Sequence, residues 1–325
     1  MSRLRGLGYA TLFIAFAHLV FGGVVRITGS GMGCGDHWPK CHGYWFPPFD
    51  RMDLIIEVSH RYLAAFLGFV LLGFVFAAWA KRREAGVGGR GGVLRAAVAA
   101  LVVVIVTGGL GAVTVKNHNP GWATVPHWVL AATLFAILAA AVIRAGGLGG
   151  MTAATGGGSP KTARGALAAV VIALLAITLG GLTAKVPHAA VACPSFPLCG
   201  DVPAGTPAGA SHVQLTHRVL AFALFFHLMA MAVLVRRRPE NPVVRKAALV
   251  AFVAVFAQVL VAGAMIGMNL PPVSRKLHQA VGVLVWITTF VFWYLAHRAT
   301  RPAPGRARAA VRAPGYGETR ERVLS

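Results

Sequence analysis

The sequence predicts an all-α, polytopic membrane protein in which eight transmembrane helices form two pseudo-symmetric four-helix bundles. Two observations carry this prediction. Of the 325 residues, 57% are hydrophobic and only 12% are charged, so polar surface is too scarce for a soluble globule of this length. The chain also contains two copies of one unit, which consists of a two-cysteine loop, a His-Arg pair and a long apolar segment.

The eight predicted spans are apolar segments of about 20 residues, the length that crosses the hydrocarbon core of a bilayer. The first segment is not expected to be a cleaved signal, because no small-residue cleavage site follows its long apolar run. The predicted spans are 7–28, 59–80, 94–115, 125–144, 164–184, 213–235, 245–268 and 277–297.

The positions of the basic residues predict the orientation of these spans. The net charge of +22 would suggest nucleic acid as the partner of a soluble protein. Here, 22 of the 31 Lys and Arg residues lie in the N-terminus, the tail and the loops after the second, fourth and sixth spans. The positive-inside rule explains this better, so we expect a lipid bilayer rather than nucleic acid as the surroundings. We expect a plasma-membrane protein whose two termini lie in the cytoplasm. Both cysteine loops would then lie on the outer side of the membrane.

Composition divides the chain into four parts. We expect an N-terminal bundle at 1–144, a cytoplasmic linker at 145–163, a C-terminal bundle at 164–298 and a disordered basic tail at 299–325. The linker and the tail are rich in Gly, Ala, Pro or Arg and lack apolar periodicity.

Four histidines lie near the outward starts of the second, fourth, sixth and eighth spans. They are His60, His127, His217 and His278, separated by 67 residues in the first half and by 61 in the second. Two imidazoles facing each other across a bundle are what a six-coordinate haem iron needs, so we interpret all four as iron ligands. The alternative is that each is an interfacial residue at a helix start.

Glycines and arginines near the same outward ends complement the histidines. The glycines allow either close approach of a flat macrocycle or close packing of two helices. Arg61 and Arg218 either contact haem propionates or reach into the membrane interface as positively charged side chains. The glycines are Gly22, Gly23, Gly108, Gly109, Gly111, Gly180, Gly181, Gly263 and Gly267.

One difference between the two copies suggests where chemistry occurs. Glu57 lies three residues before His60, and the equivalent position before His217 is Gln214. A carboxylate can move protons or stabilise a cation, whereas an amide does neither well. We therefore assign catalysis to the first half and an electron-carrying haem to the second. The alternative is that Glu57 is an acid favoured at a helix start.

The four cysteines are expected to form two local disulfides. Cys34 and Cys41 enclose six residues, and Cys193 and Cys199 enclose five, so the Cys-x2-Cys spacing of zinc sites is absent. Disulfides Cys34–Cys41 and Cys193–Cys199 suit loops outside the cytoplasm. A redox-active pair in the first loop is the alternative.

Together, these motifs resemble those of the heme A synthase family, in its form with paired loop cysteines. The resemblance extends from the first span to the eighth and rests on 23–31, both cysteine loops, Glu57 with His60 and Arg61, and the later histidines. It implies a membrane oxidoreductase that converts the methyl group of heme O to the formyl group of heme A for terminal oxidases. It also implies a heme b cofactor on His217 and His278.

The resemblance further implies that heme O lies near His60, His127 and Glu57, and that Cys34 and Cys41 are the pair linked to redox activity. Heme O synthase and the terminal oxidase assembly machinery are candidate partners, and a homo-oligomer is left open. The main alternative is a diheme b-type electron carrier, linked to quinol, that does not modify haem. A transporter built from repeats is disfavoured, because the prolines cluster in loops rather than breaking a helix at mid-membrane.

Overall fold

The computed structural model describes residues 1–48 and 50–301, so most of the predicted tail 299–325 lies outside the described residues. Within the described ranges, eight helices are long and apolar enough to cross a membrane, which confirms the all-α membrane prediction. A ninth, four-residue helix lies between them. The helices are α1 (Ser2–Ile27), α2 (Met52–Ala80), α3 (Val93–Lys116), α4 (Gly121–Arg144), α5 (Gly150–Ala153), α6 (Pro160–Thr183), α7 (Ala208–Arg236), α8 (Pro242–Gly267) and α9 (Pro272–Ala299).

The helices generally extend a few residues beyond the predicted spans, and a capping side chain marks the start of two of them, α6 and α8. Ser159 accepts a hydrogen bond from the backbone N–H of Lys161, and Pro160 occupies the first turn of α6. Asn241 caps α8 in the same way. The extension matters most in α2, which begins at Met52 rather than at residue 59 and therefore contains both Glu57 and His60.

Helix contacts follow a similar scheme in the two halves of the chain. In the first half, α1 and α3 each contact both α2 and α4. In the second half, α6 and α8 each contact both α7 and α9. The halves meet where α9 packs against α1 and α4, and where α4 packs against α6.

A buried hydrogen bond joins the two halves in the apolar region. The indole N–H of Trp286 on α9 donates to the carbonyl of Ala132 on α4 at 2.8 Å. Inside a bilayer, helices associate through such polar contacts and through close packing of small residues, because lipid is as apolar as the side chains. Helix α6 accordingly turns Ala166, Ala169 and Ala173 inward, whereas large side chains such as Phe69, 73% exposed, face outward.

The segment expected to be a linker is packed against neighbouring helices. It contains α5, and its last four predicted residues already belong to α6. The amide of Asn241 donates to the carbonyls of Thr152 at 2.9 Å and Gly156 at 2.8 Å. Arg298 donates to the carbonyl of Gly150 at 3.1 Å. The hydrophobic pattern of this segment did not predict its packing, because many of the contacts are made by backbone groups rather than by apolar side chains.

Candidate functional site

Both predicted disulfides are present, and each closes a loop beside the N-terminal end of a helix. The Cα atoms of Cys34 and Cys41 are 4.9 Å apart, and those of Cys193 and Cys199 are 4.3 Å apart. Cys34 and Cys41 are buried in a small apolar cluster with Leu54 and Val58 of α2. The first disulfide therefore packs directly on the helix that carries Glu57 and His60.

Glu57 attaches the first loop to α2. The residue is 3% exposed, and its carboxylate accepts a hydrogen bond from the backbone N–H of Cys34 at 2.9 Å. Its other oxygen lies 2.5 Å from Nη2 of Arg61, one helical turn further along α2. Each carboxylate oxygen therefore has a donor, one from the loop backbone and one from α2 itself. Glu57 thus presents a buried negative charge one turn before His60.

Gln214 makes the equivalent attachment in the second half. Its side-chain oxygen accepts a hydrogen bond from the backbone N–H of Cys193 at 3.0 Å. Arg218 donates to the carbonyls of Cys193 at 2.6 Å and Leu198 at 2.7 Å instead of pairing with an acid. Glu57 and Gln214 therefore share one structural task, and they differ in charge.

The guanidinium of Arg61 is also directed at its own loop. It donates to the carbonyls of His37 at 2.9 Å and Pro39 at 3.2 Å, besides its ion pair with Glu57. Arg218 bonds its loop in the same manner. In this structure both arginines hold their loops in place. Contacts of Arg61 and Arg218 with haem propionates remain a prediction.

Two of the predicted iron ligands are held by backbone carbonyls of the preceding helix. Nδ1 of His127 lies 3.0 Å from the carbonyl oxygen of Thr107, and Nδ1 of His217 lies 2.9 Å from that of Ala176. A ring bonded in this way carries its proton on Nδ1 and keeps the lone pair of Nε2 for a metal. This tautomer leaves Nε2 of both rings available to a metal.

His60 belongs to a pair of stacked imidazoles. The ring centroids of His60 and His18 are 4.3 Å apart, and the rings are inclined by 16°. Nδ1 of His60 and Nε2 of His18 are buried without a hydrogen-bond partner among the described residues. Buried polar atoms rarely lack partners, so these two nitrogens indicate that a polar or metal-containing ligand belongs beside them.

Sequence reasoning gave His18 no role, although a signal for it existed. His18 stands four residues before Gly22, just as Thr107 stands four residues before Gly111. The residue at this position supplies the carbonyl that orients a histidine in the later helices. A repeat alignment of α1, α3 and α6 would have placed His18 beside His60.

Three of the predicted glycines lie against histidines. A Cβ on Gly22 would lie 3.2 Å from Cε1 of His60, and one on Gly180 would lie 3.0 Å from Cε1 of His217. Gly111 meets His127 in the same way, at 3.2 Å. These glycines let the imidazoles lie against the backbone of the neighbouring helix.

The pattern changes in α8, where Gly263 meets Phe196 of the second loop instead of His278. His278 contacts Gln258, whose Nε2 lies 3.1 Å from Nδ1 of His278 and donates to its carbonyl at 3.0 Å. Sequence reasoning also missed Gln258, whose only signal is a lone amide within an apolar helix. The four histidine positions are therefore similar but not equivalent.

Gln279 connects the histidine-bearing end of α9 to α1. Its carboxamide occupies the space that a side chain on Gly23 would fill. It accepts a hydrogen bond from Arg26 at 3.1 Å and donates to the carbonyl of Leu19 at 3.3 Å. Because Gln279 follows His278 directly, this contact joins the predicted iron-binding regions of the two halves.

Positive charge gathers at the same end of the bundle as the four histidines. Arg26 lies close enough to Arg275 and Lys185 for their charges to repel. Burial, followed by the charge of Arg26, lowers the pKa of Lys185 below its usual range. Lys185 donates to the carbonyl of Asn119 at 2.6 Å. This cluster could accept carboxylates of a ligand.

The residues fit bis-histidine haem. His127 and His217 are in the tautomer that leaves Nε2 free, and glycines lie against three of the four rings. Neutral imidazole pairs are a preferred ligand set of haem iron.

Comparison with known proteins gives matches along nearly the whole chain. The sequence profile of COX15-CtaA, described as cytochrome oxidase assembly protein, matches residues 5–290. The heme A synthase of Geobacillus kaustophilus is 27% identical over 305 residues, which cover 94% of each chain. That of Bacillus licheniformis is 28% identical over 240 residues, 73% of this chain and 77% of the relative. That of Staphylococcus aureus is 44% identical over 79 residues, 24% of this chain and 26% of the relative.

Proposed function

Because the chain belongs to the COX15-CtaA family of cytochrome oxidase assembly proteins, we propose that it is a heme A synthase. The reaction oxidises one methyl group of heme O to the formyl group of heme A. The methyl carbon loses four electrons in this change and gains one oxygen atom. The similarity to heme A synthase of Geobacillus kaustophilus over 94% of both chains supports the proposal. The product would serve the assembly of terminal oxidases.

The first half, residues 1–144, is proposed as the substrate-binding bundle. His60 and His127 hold heme O through its iron, and Gly22 and Gly111 bring the helix backbones close to these rings. The unpartnered Nδ1 of His60 and Nε2 of His18 support a ligand at this place. His127 is already oriented by the carbonyl of Thr107.

One observation carries the assignment of catalysis to this half. Glu57 and Gln214 accept the same kind of backbone hydrogen bond, at 2.9 Å and 3.0 Å, yet only Glu57 is charged. A purely structural role would be met by either residue. We therefore propose that Glu57 stabilises positive charge at the reacting carbon or accepts its proton. Arg61 holds the carboxylate in position for this role.

The second half, residues 164–298, is proposed to bind a resident heme b through His217 and His278. Heme b supplies one-electron transfer when bound. The carbonyl of Ala176 orients His217, and Gln258 contacts His278. Gln214 is neutral and holds the loop without offering a base. This half therefore binds and orients an electron carrier.

Cationic side chains at the outward end are proposed to bind the propionates. Arg26, Arg275 and Lys185 repel one another, so carboxylates between them would be stabilised. Arg61 and Arg218 are proposed as further propionate contacts, although some of their N–H donors already bond to the loop carbonyls.

The charge distribution supports a plasma-membrane protein with both termini in the cytoplasm and the site at the outer face. Heme O synthase and the oxidase assembly machinery are proposed partners, with Cys34–Cys41 as a candidate redox pair.

The test is extraction and chromatographic identification of haems from membranes of cells that make the full chain together with a heme O-producing enzyme. Heme A that appears only when this chain is present is the expected result. The control is the same cell without this chain, which should accumulate heme O. Retention of two heme b groups with heme O left unconverted would contradict the proposal and would favour the diheme electron carrier.

A further inference from the structure

A basic pocket lies at the end of the bundle opposite the cysteine loops. It is formed by the loop between α2 and α3, the last turn of α4 and the end of α9. The site described above uses none of its residues. The lining side chains are Arg90, Arg144, Tyr294, His297, Arg298 and Arg301.

No acidic side chain lines this pocket. In the part of the chain that the structure describes, none of its four arginines forms an ion pair, whereas Arg51 and Arg61 both do. Four like charges that share a small space repel one another. An anion in the pocket would remove this repulsion.

Two of the arginines are fixed in place by neutral partners. Arg144 donates to the hydroxyl of Tyr294 at 2.6 Å and to the carbonyl of Gly92 at 3.1 Å. Arg298 donates through Nε to the carbonyl of Gly150 at 3.1 Å. A guanidinium has five N–H donors, so each arginine keeps donors that these contacts do not use. The pocket therefore offers pre-oriented donors to a ligand.

Orientation by the positive-inside rule does not account for this arrangement. That rule requires positive charges in the loops, and exposed residues such as Arg83 and Arg237 satisfy it without entering a pocket. It does not require arginines from three distant parts of the chain to converge, with Arg144 held against Tyr294. Convergence of guanidinium groups is instead typical of phosphate recognition.

We propose that this pocket binds a phosphate group, carried either by an anionic phospholipid at the membrane surface or by a soluble phosphate ester. Pockets of basic residues between helices at the cytoplasmic surface bind anionic headgroups. Arg144 and Arg298 contact the phosphate with fixed geometry. Arg90 and Arg301, which are exposed, close over it. The bound phosphate also joins α4 to α9 and so ties the two halves together.

The test uses the full-length, haem-loaded protein in neutral detergent. Native mass spectrometry counts bound lipid after addition of small amounts of phosphatidylglycerol or, in parallel, phosphatidylcholine. Thermal unfolding is measured with phosphatidylglycerol, glycerol 3-phosphate or inorganic phosphate. The altered pocket is the double variant Arg90→Gln with Arg301→Gln, both at exposed positions. The matched control removes the same charge elsewhere on this end, as Arg83→Gln with Arg237→Gln.

We expect one phosphatidylglycerol to remain bound to the wild-type protein and to the control, while phosphatidylcholine does not. The pocket variant should bind it roughly tenfold or more weakly, because each basic residue near a surface contributes several-fold to affinity for anionic lipid. Stabilisation by glycerol 3-phosphate or inorganic phosphate alone would identify a soluble ligand instead, with the same dependence on Arg90 and Arg301. Equal losses in both double variants, or no phosphate-dependent effect in the wild-type protein, would overturn the proposal.

Discussion

The carboxamide of Gln279 lies against the α-carbon of Gly23, in space that a larger residue would need for its Cβ. Gln279 follows the predicted ligand His278, and Gly23 follows Gly22, which lies against His60. This pair therefore connects the two predicted haem-binding regions. Its hydrogen bonds to Arg26 and Leu19 fix the amide on α1.

The change Gly23→Ala should displace the amide of Gln279. We expect loss of its two hydrogen bonds and a destabilisation on the order of 1–2 kcal/mol. Gln279→Ala should cost a similar amount, and the double variant should cost less than the sum, because both changes break one contact. The measurements are the melting temperature and the midpoint potential of the heme b in the second half.

Gly68→Ala is the control for this pair, because nothing lies within 4 Å of the added methyl group. It should leave both quantities unchanged. Strict additivity of Gly23→Ala and Gln279→Ala would show that the two residues act independently, and the link between the halves would have to lie elsewhere.

Glu57→Gln converts the first half to the chemistry of the second at this position. The amide oxygen still accepts from Cys34, so the loop and both haems should be retained, while the negative charge is lost. We expect formation of heme A to fall by at least about 100-fold, which is the usual contribution of a positioned acid or base. The measurement is haem extraction from matched membranes.

The reciprocal change, Gln214→Glu, is the control for charge as such. It keeps the acceptor for Cys193 and places a carboxylate near Arg218, so activity should remain near that of the wild-type protein. Normal production of heme A by Glu57→Gln would remove the catalytic role from Glu57 and leave it as a structural acceptor.

His18→Ala tests whether the stacked histidine pair belongs to the substrate site. Nε2 of His18 has no partner in the described chain, so its removal should cost only about 1 kcal/mol of stacking. We expect altered optical and electron paramagnetic resonance spectra of haem bound in the first half, with the second-half spectrum unchanged. His212→Ala, at an exposed position near the same end, is the control. Identical spectra for wild-type protein and His18→Ala would reduce His18 to a packing residue.

Removal of either disulfide by paired Cys→Ser changes should cost about 2 kcal/mol, since each closes a short loop. The consequences for activity should differ. Loss of Cys34–Cys41 loosens the loop whose backbone bonds to Glu57, and formation of heme A should fall. Loss of Cys193–Cys199 loosens the loop whose backbone bonds to Gln214, which has no proposed part in the chemistry, and activity should persist. Equal losses of activity in the two variants would contradict a special role for the first loop.

Sequence pattern was sufficient for features that depend on local spacing. Hydropathy located the eight membrane helices, and the three-residue spacing placed Glu57 and His60 on one helix. Loop cysteines seven and six residues apart were paired correctly. Such features depend on residues close together in the chain.

Features that depend on distant residues were not predicted. Gln279 and Gly23 lie far apart in the sequence, in the last and the first membrane helix, and no local pattern indicates their contact. The directions of Arg61 and Arg218 depend on where the loop carbonyls point, which composition does not specify. Gly263 was expected opposite a histidine, but Phe196 from the second loop occupies that place.

The hydrogen bond from Cys34 to Glu57 links the redox state of the first loop thermodynamically to the placement of the Glu57 carboxylate. Suppose that closing the disulfide favours one position of the Glu57 carboxylate, and that the bound substrate favours the same position. The closed disulfide then strengthens substrate binding, and the substrate stabilises the closed disulfide by an equal free energy. Binding of heme O would thereby shift the reduction potential of Cys34–Cys41. The rate at which a water-soluble thiol reagent opens this disulfide would then report whether the haem site is filled.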